Sequence, residues 1–142
     1  MTSITKTVLI SKPLETTWRF LNDIEKTGHC LPGCQEVKII SETRSLWKLK
    51  VSAGIVSRTL EMEVTRAVDE ASKRINLHIR TRSGDLEGDL VVALTNVESA
   101  TKLDLNFDVH AVGAFSWIIN QMIGKQSDKM AAQFVECVDS SL

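Results

Sequence analysis

The middle of the chain alternates between apolar and polar residues. Leu60, Met62 and Val64 are interleaved with Glu61, Glu63 and Thr65. Ile75, Leu77, Ile79 and Thr81 alternate with Asn76, His78, Arg80 and Arg82. Leu103, Leu105, Phe107 and Val109 alternate with Asp104, Asn106, Asp108 and His110. A period of two puts the apolar members on one side of a β-strand. Val37 and Ile39 continue the pattern, as do Trp47, Leu49 and Val51, and then Leu86, Leu90, Val92 and Leu94. Turn signals separate these runs: Glu42 to Ser45, Ser52-Ala53-Gly54, Asp69 to Ser72, Ser83-Gly84-Asp85, and Glu98 to Thr101. With connections this short, neighbouring strands pair as antiparallel hairpins. Such a sheet has one wet face and one face that needs a cover.

Helices come from the two ends of the chain. Ile4 to Ile10 reads as a first strand, and Ser11-Lys12-Pro13 opens a helix carrying Leu14, Trp18 and Leu21 at helical spacing. Ser11 or Lys12 holds the N-cap. Pro13 sits in the first turn, where its missing N–H costs nothing. A shorter helix runs from Asp23, its cap, to about Gly28. From about Ala114 to Val138 the apolar residues Phe115, Ile119, Met122, Met130, Phe134 and Val138 recur at helical spacing, with Gln121, Lys125, Asp128, Lys129, Gln133 and Glu136 on the other side. About 24 residues at 1.5 Å rise span roughly 36 Å, enough to cross a small sheet. Gly124 lies within that helix and marks a kink or a close backbone approach. The pattern predicts one α+β domain over residues 1–142, in the order β-α-α-β-β-β-β-β-β-α. Its long C-terminal helix closes the apolar side of the sheet.

The predicted inner faces define a candidate ligand site. Trp47, Met62, Ile79, Leu90 and Phe107 lie on the strands, and Phe115, Ile119 and Met122 on the helix facing them. Ligand pockets are mostly apolar with a few placed polar groups, and a methionine adapts to more than one ligand shape. Thr81 and Asn120 are the weak candidates for a polar anchor. Gly88 and Thr81 are small inner-face residues that leave room for close packing or for a cavity. The large aromatics Trp18, Trp47, Phe107, Phe115, Trp117 and Phe134 belong around the core.

Composition removes several function classes. Seventeen basic residues balance eighteen acidic ones without a run of either sign, so the surplus that grips nucleic acid is missing. No signal peptide is visible, and the longest apolar window, Ala111 to Ile119, is about half a membrane span. Three cysteines, an odd number, suit a cytoplasmic chain with reduced thiols. No GxGxxG or GxxxxGK[ST] phosphate motif occurs. Asp85, Glu87 and Asp89 alternate along one strand toward the solvent, where paired carboxylates do no acid–base work. No catalytic residue, metal or cofactor is assigned.

The stretch His29-Cys30-Leu31-Pro32-Gly33-Cys34 is the densest chemistry in the chain. Zinc needs about four ligands and this stretch supplies three at most. A redox pair wants C-x-x-C at a helix start, and the spacing here is longer, although a Cys30–Cys34 disulfide is geometrically conceivable. A Cys–His nucleophile needs an oriented base, which adjacent residues make difficult. The stretch reads best as a junction. Pro32 fixes φ, Gly33 allows positive φ, and the pair suits a type II turn leading into the strand of Val37. Leu31 anchors the turn in the core.

Asp23 followed by Leu31-Pro32-Gly33-Cys34 resembles the signature of the CoxG family, named for the G-subunit of carbon monoxide dehydrogenase, within the START and polyketide-cyclase-like (SRPBCC, Bet v 1-like) superfamily. Pro13 and Trp18, with Leu21, Asn22 and Asp23, are similar to its early helix motif. Gly113, Lys129, Met130, Ala131 and Phe134 are similar to its terminal-helix pattern. The resemblance implies a helix-grip fold: a seven-stranded, curved antiparallel sheet around a long C-terminal helix, with an apolar cavity or groove. It implies a hydrophobic small-molecule partner, lipid-like or quinone-like. It further implies service to a molybdenum hydroxylase of the carbon monoxide dehydrogenase type, in the cytoplasm or peripheral to the inner face of the membrane. The chain departs from the family at Val56 to Thr59 and Arg80 to Arg82, which are bulkier than the glycines common there, and in having no hydrophobic C-terminal tail. These departures bear on membrane anchoring and on the hydroxylase partnership, not on the fold. Two other classes stay open at this level. One is an interaction or assembly protein with a filled core. The other is a cyclase- or hydrolase-like enzyme, which needs a polar group with a shifted pKa projecting into a cavity.

Overall fold

In the computed structural model, which describes residues 2–53, 55–113, 116–117, 120 and 125–142, the alternating runs form strands. The elements are β1 (Thr2–Ile10), α1 (Leu14–Asn22), α2 (Ile24–Cys30), β2 (Cys34–Ile39), β3 (Arg44–Ala53), β4 (Val56–Asp69), β5 (Arg74–Thr81), β6 (Leu86–Val97), β7 (Ala100–Ala111) and α3 (Lys125–Ser141). The strands make one seven-stranded antiparallel sheet in the order β1-β7-β6-β5-β4-β3-β2. Strands β2 to β7 are a meander of hairpins, and β1 returns to pair with β7, so β1 and β2 are the two edges. This is the helix-grip topology. The register puts Trp47 opposite Met62, Ile79 opposite Gly88 and Leu90 opposite Phe107, aligning the inner-face side chains in rows across the sheet.

The helix starts differ in part from the sequence expectation. Helix α1 begins at Leu14, with Pro13 at the N-cap and no side-chain cap. Ser11 and Lys12 are engaged elsewhere. The Ser11 backbone N–H donates to Asp139 Oδ1 at 3.0 Å, and the Lys12 carbonyl accepts the Thr101 hydroxyl at 2.8 Å. These contacts pin the β1–α1 corner to α3 and to β7. Asp23 does cap α2, accepting the Lys26 N–H at 3.1 Å. Helix α3 is described from Lys125; the predicted start of the terminal helix, with Phe115, Ile119, Met122 and Gly124, lies outside the described residues.

The Pro-Gly turn forms as the sequence predicts. The Cys34 N–H donates to the Leu31 carbonyl at 3.1 Å, closing the turn. Gly33 has φ +85°, and a Cβ there would sit 2.3 Å from the Lys50 carbonyl oxygen. The Gly33 carbonyl in turn accepts the Lys50 N–H at 2.8 Å, so the turn is stitched to β3. Gly88, on the inner face of β6, serves close packing: its missing Cβ would meet the Asp108 carbonyl at 2.7 Å and the Phe107 ring at 2.9 Å.

The cysteines correct the expectation of three reduced thiols. Cys30, at the end of α2, is joined in a disulfide to Cys137 of α3, a sequence separation of 107. Cys34 stays free. Burial pushes its thiol above the ordinary range, and the contact to the Glu36 carbonyl opposes this only in part, so it is a poor nucleophile. The pairing also removes the cysteine-count argument for a cytoplasmic setting. Among the described residues no helix is long and apolar enough to cross a membrane.

Apolar burial is divided into two clusters. One gathers Ile10, Trp18, Phe20, Ile75, Leu103 and Val138 where α1 and the end of α3 cover the sheet. The other gathers Trp47, Leu49, Val51, Leu60, Met62 and Val64 on β3 and β4. Leu77 packs against both. Trp117, expected around the core, is 47% exposed.

Candidate functional site

A cavity of about 360 Å³ lies between the sheet, α2 and α3. Its size falls within the ~300–1,000 Å³ of small-molecule sites. The predicted strand residues Trp47, Met62, Ile79, Leu90 and Phe107 all line it. The predicted helix residues Phe115, Ile119 and Met122 lie outside the described residues. From α3 the wall is instead supplied by Ser127, Met130, Ala131 and Phe134.

Two further walls escape the sequence pattern. Helix α2 contributes Ile24 and Thr27, with Leu31 just beyond it. Strand β1 contributes Ile4, Lys6 and Val8. The β1 signal is present in the sequence: Ile4, Lys6 and Val8 alternate with the exposed Thr5 and Thr7. A lysine at the centre of that alternation disguises it. Its ammonium pairs with Asp128 of α3, while the stem runs along apolar surface.

Polar atoms on the wall are few and mostly engaged. The Thr27 hydroxyl donates to the Phe20 and Leu21 carbonyls at 3.2 and 3.3 Å. Ser45, 1% exposed, accepts the Trp47 indole N–H at 2.7 Å. Arg66 reaches the Asn22 and Glu42 carbonyls at 2.7 and 2.8 Å. Ser45 and Arg66 extend the inner-face alternation of Trp47 and of Met62 and Val64, so their position is legible even though their polarity hides it. Of the two predicted polar anchors, Thr81 is buried and spends its hydroxyl on the Leu86 backbone, donating to the carbonyl at 3.2 Å and accepting the N–H at 3.0 Å. Asn120 is exposed.

The described lining residues include no histidine, cysteine, aspartate or glutamate. Among the described residues no group of three histidine, cysteine, aspartate or glutamate side chains is arranged to hold a metal ion. The acids of β6 lie on the outer face, where Asp89 and Glu87 hold the two ring nitrogens of His78 at 2.8 and 2.9 Å. The chemistry of the chamber is therefore mostly apolar, with two cationic side chains, Lys6 and Arg66, and the hydroxyls of Thr27, Ser45 and Ser127 at its wall.

Comparisons with known proteins agree with this architecture. A conserved protein from Geobacillus kaustophilus superposes with a TM-score of 0.83 at 16% identity, covering 99% of this chain and 94% of that one. A START superfamily protein from Mycobacterium smegmatis gives 0.75 at 13% identity, with 98% and 95% covered. The Zhui aromatase/cyclase from Streptomyces sp. R1128 gives 0.69 at 16% identity, with 99% and 92% covered. At these identities the likeness shows the fold. No curated protein matches the chain in sequence. The family model of CoxG, the carbon monoxide dehydrogenase G-subunit, matches residues 7–142, nearly the whole chain. The turn at Leu31-Pro32-Gly33-Cys34, the early helix and the terminal helix thus sit in one continuous match: the chain belongs to the CoxG family.

Proposed function

We propose that the protein binds a hydrophobic small molecule noncovalently in the chamber between its sheet, α2 and α3. The observation that carries this reading is the cavity of about 360 Å³, walled by apolar side chains from both layers. Deleting buried side chains costs about 24 cal/mol per Å³ of space left behind. Apolar surface without partner atoms likewise forgoes the packing contacts of its lining. A guest restores those contacts. Trp47, Met62, Ile79, Leu90 and Phe107 would touch it from the sheet. Binding rather than catalysis fits a described wall whose polar side chains, Lys6, Thr27, Ser45, Arg66 and Ser127, are joined by no histidine, cysteine, aspartate or glutamate. Family membership supports a finer reading, in which a lipid-like or quinone-like guest is held on behalf of a molybdenum hydroxylase of the carbon monoxide dehydrogenase type.

The test is native mass spectrometry of gently purified protein, with titration of an apolar fluorescent probe and a panel of lipids and quinones. Retained mass, or saturable one-to-one binding that quenches Trp47, supports the reading. Repeated absence of any guest, together with no binding across the panel, defeats it.

A further inference from the structure

Two cations line the chamber, and they differ in one respect. Lys6 is neutralised by Asp128. Arg66 makes no ion pair among the described residues. Its half-buried guanidinium has only the uncharged carbonyls of Asn22 and Glu42 as partners, which occupy two of the five N–H donors an arginine carries. A guanidinium against an apolar wall is favoured by an anion, and its planar fork matches a carboxylate.

A second donor stands on the same face. Ser45 of β3 pairs with Val64 of β4, and Arg66 follows Val64 by two residues, which makes Ser45 and Arg66 diagonal neighbours across the pair, about 7–8 Å between Cα atoms. The Ser45 oxygen already accepts the Trp47 N–H. Among the described residues its own hydroxyl donates no hydrogen bond. Accepting one hydrogen bond strengthens the bond a hydroxyl then donates. The corner therefore offers donors and one positive charge, and none of the described lining residues carries a carboxylate.

We infer that the chamber takes an acidic amphiphile, its apolar body along Leu77, Leu90 and Phe107 and its single carboxylate received by the Arg66 guanidinium and the Ser45 hydroxyl. This rests on the binding reading above and narrows it, choosing an acidic lipid-like guest over a neutral quinone-like one. The structural work of Arg66, bridging the end of α1 to the β2–β3 connection, is compatible with this role because it leaves donors over.

The test compares dodecanoate with its methyl ester, which has nearly the same apolar body and no charge, by displacement of the apolar probe from the full chain. Dodecanoate is expected to bind at least about 10-fold more tightly than the ester. Arg66→Gln is expected to erase that difference, Arg66→Lys to keep part of it, and Ser45→Ala to weaken the acid several-fold. Because the first comparison uses the unaltered protein, it does not depend on any variant folding. Equal affinity for acid and ester in the wild type overturns the inference and leaves the binding reading standing. Failure to bind the acid, the ester and the probe alike overturns both.

Discussion

Single residues carry consequences that the alternation does not advertise. Gly33 combines φ +85° with a carbonyl where a Cβ would go. Gly33→Ala is therefore expected to cost about 2–4 kcal/mol, from left-handed backbone strain plus overpacking against β3. Urea unfolding at fixed pH measures it; a loss below the error of that experiment would mean the turn relaxes freely. His78 makes a prediction of a different kind. The bond to Asp89, with Glu87 adding, raises its pKa above the ordinary 6.5, against a smaller opposing effect of burial. A group whose folded pKa is raised contributes fully below its unfolded value, and that contribution is lost as pH rises through the folded value. Wild-type stability should thus fall from slightly acidic to alkaline pH by more than that of His78→Asn. Identical pH profiles from about pH 5 to about pH 9 would show that the cluster is electrostatically silent. The ring is well exposed, so the difference is modest. At this scale the sequence is readable where a residue's type follows from backbone geometry, as at Pro32-Gly33. It is unreadable where a polar residue faces inward. Lys6, Ser45 and Arg66 each occupy an apolar-phase position, and only the fold shows what their polar ends reach.

Elements are easier to read than their attachments. The strands follow from period-two patterning, because an antiparallel sheet with one covered face leaves that imprint on every strand it contains. The start of α1 differs by one or two residues from the sequence expectation because Ser11 and Lys12, good candidates for a local cap, are used in long-range bonds to Asp139 and Thr101. The cysteine link is hidden for a related reason. Cys30 has a sequence neighbour, Cys34, that draws attention away from a partner 107 residues distant. That link joins the C-terminal end of α2 to α3, two elements that both wall the chamber. Closing so long a loop restricts the unfolded chain strongly. Cys137→Ser, or reduction of the wild type, is expected to lower stability by about 2–4 kcal/mol in chemical denaturation. Reduction with no change in midpoint would mean that the helices hold one another without it. Cys34→Ser, whose thiol is outside the link, serves as the control.

For the whole molecule, the decisive feature is a core in two clusters with space between them. Periodicity identifies which faces must meet, but not how completely they fill the gap, since that depends on sheet curvature and on where the covering helices come to rest. A substitution that fills the space tests its role directly. Leu90→Trp is expected to reduce binding of any chamber guest by at least about 10-fold, while the guest-free protein melts at the wild-type temperature or above it. Unchanged affinity in that variant would place the guest elsewhere. Conversely, a true guest at one hundred times its Kd should stabilise the wild type by about 2.7 kcal/mol, a rise of roughly 5–10 °C in Tm.

The covering helix α3 is fastened unequally along its length. Near its C-terminal end a covalent bond holds it to α2, whereas near Asp128 an ion pair with one largely exposed partner holds it to β1. Exposed pairs of that kind contribute at most about 1 kcal/mol. The helix is thus a door with a riveted hinge and a light latch. Salt, which screens the exposed pair far more than the covalent link, is therefore expected to loosen the Asp128 end of α3 before the Cys137 end, which hydrogen exchange along the helix at low and high salt measures.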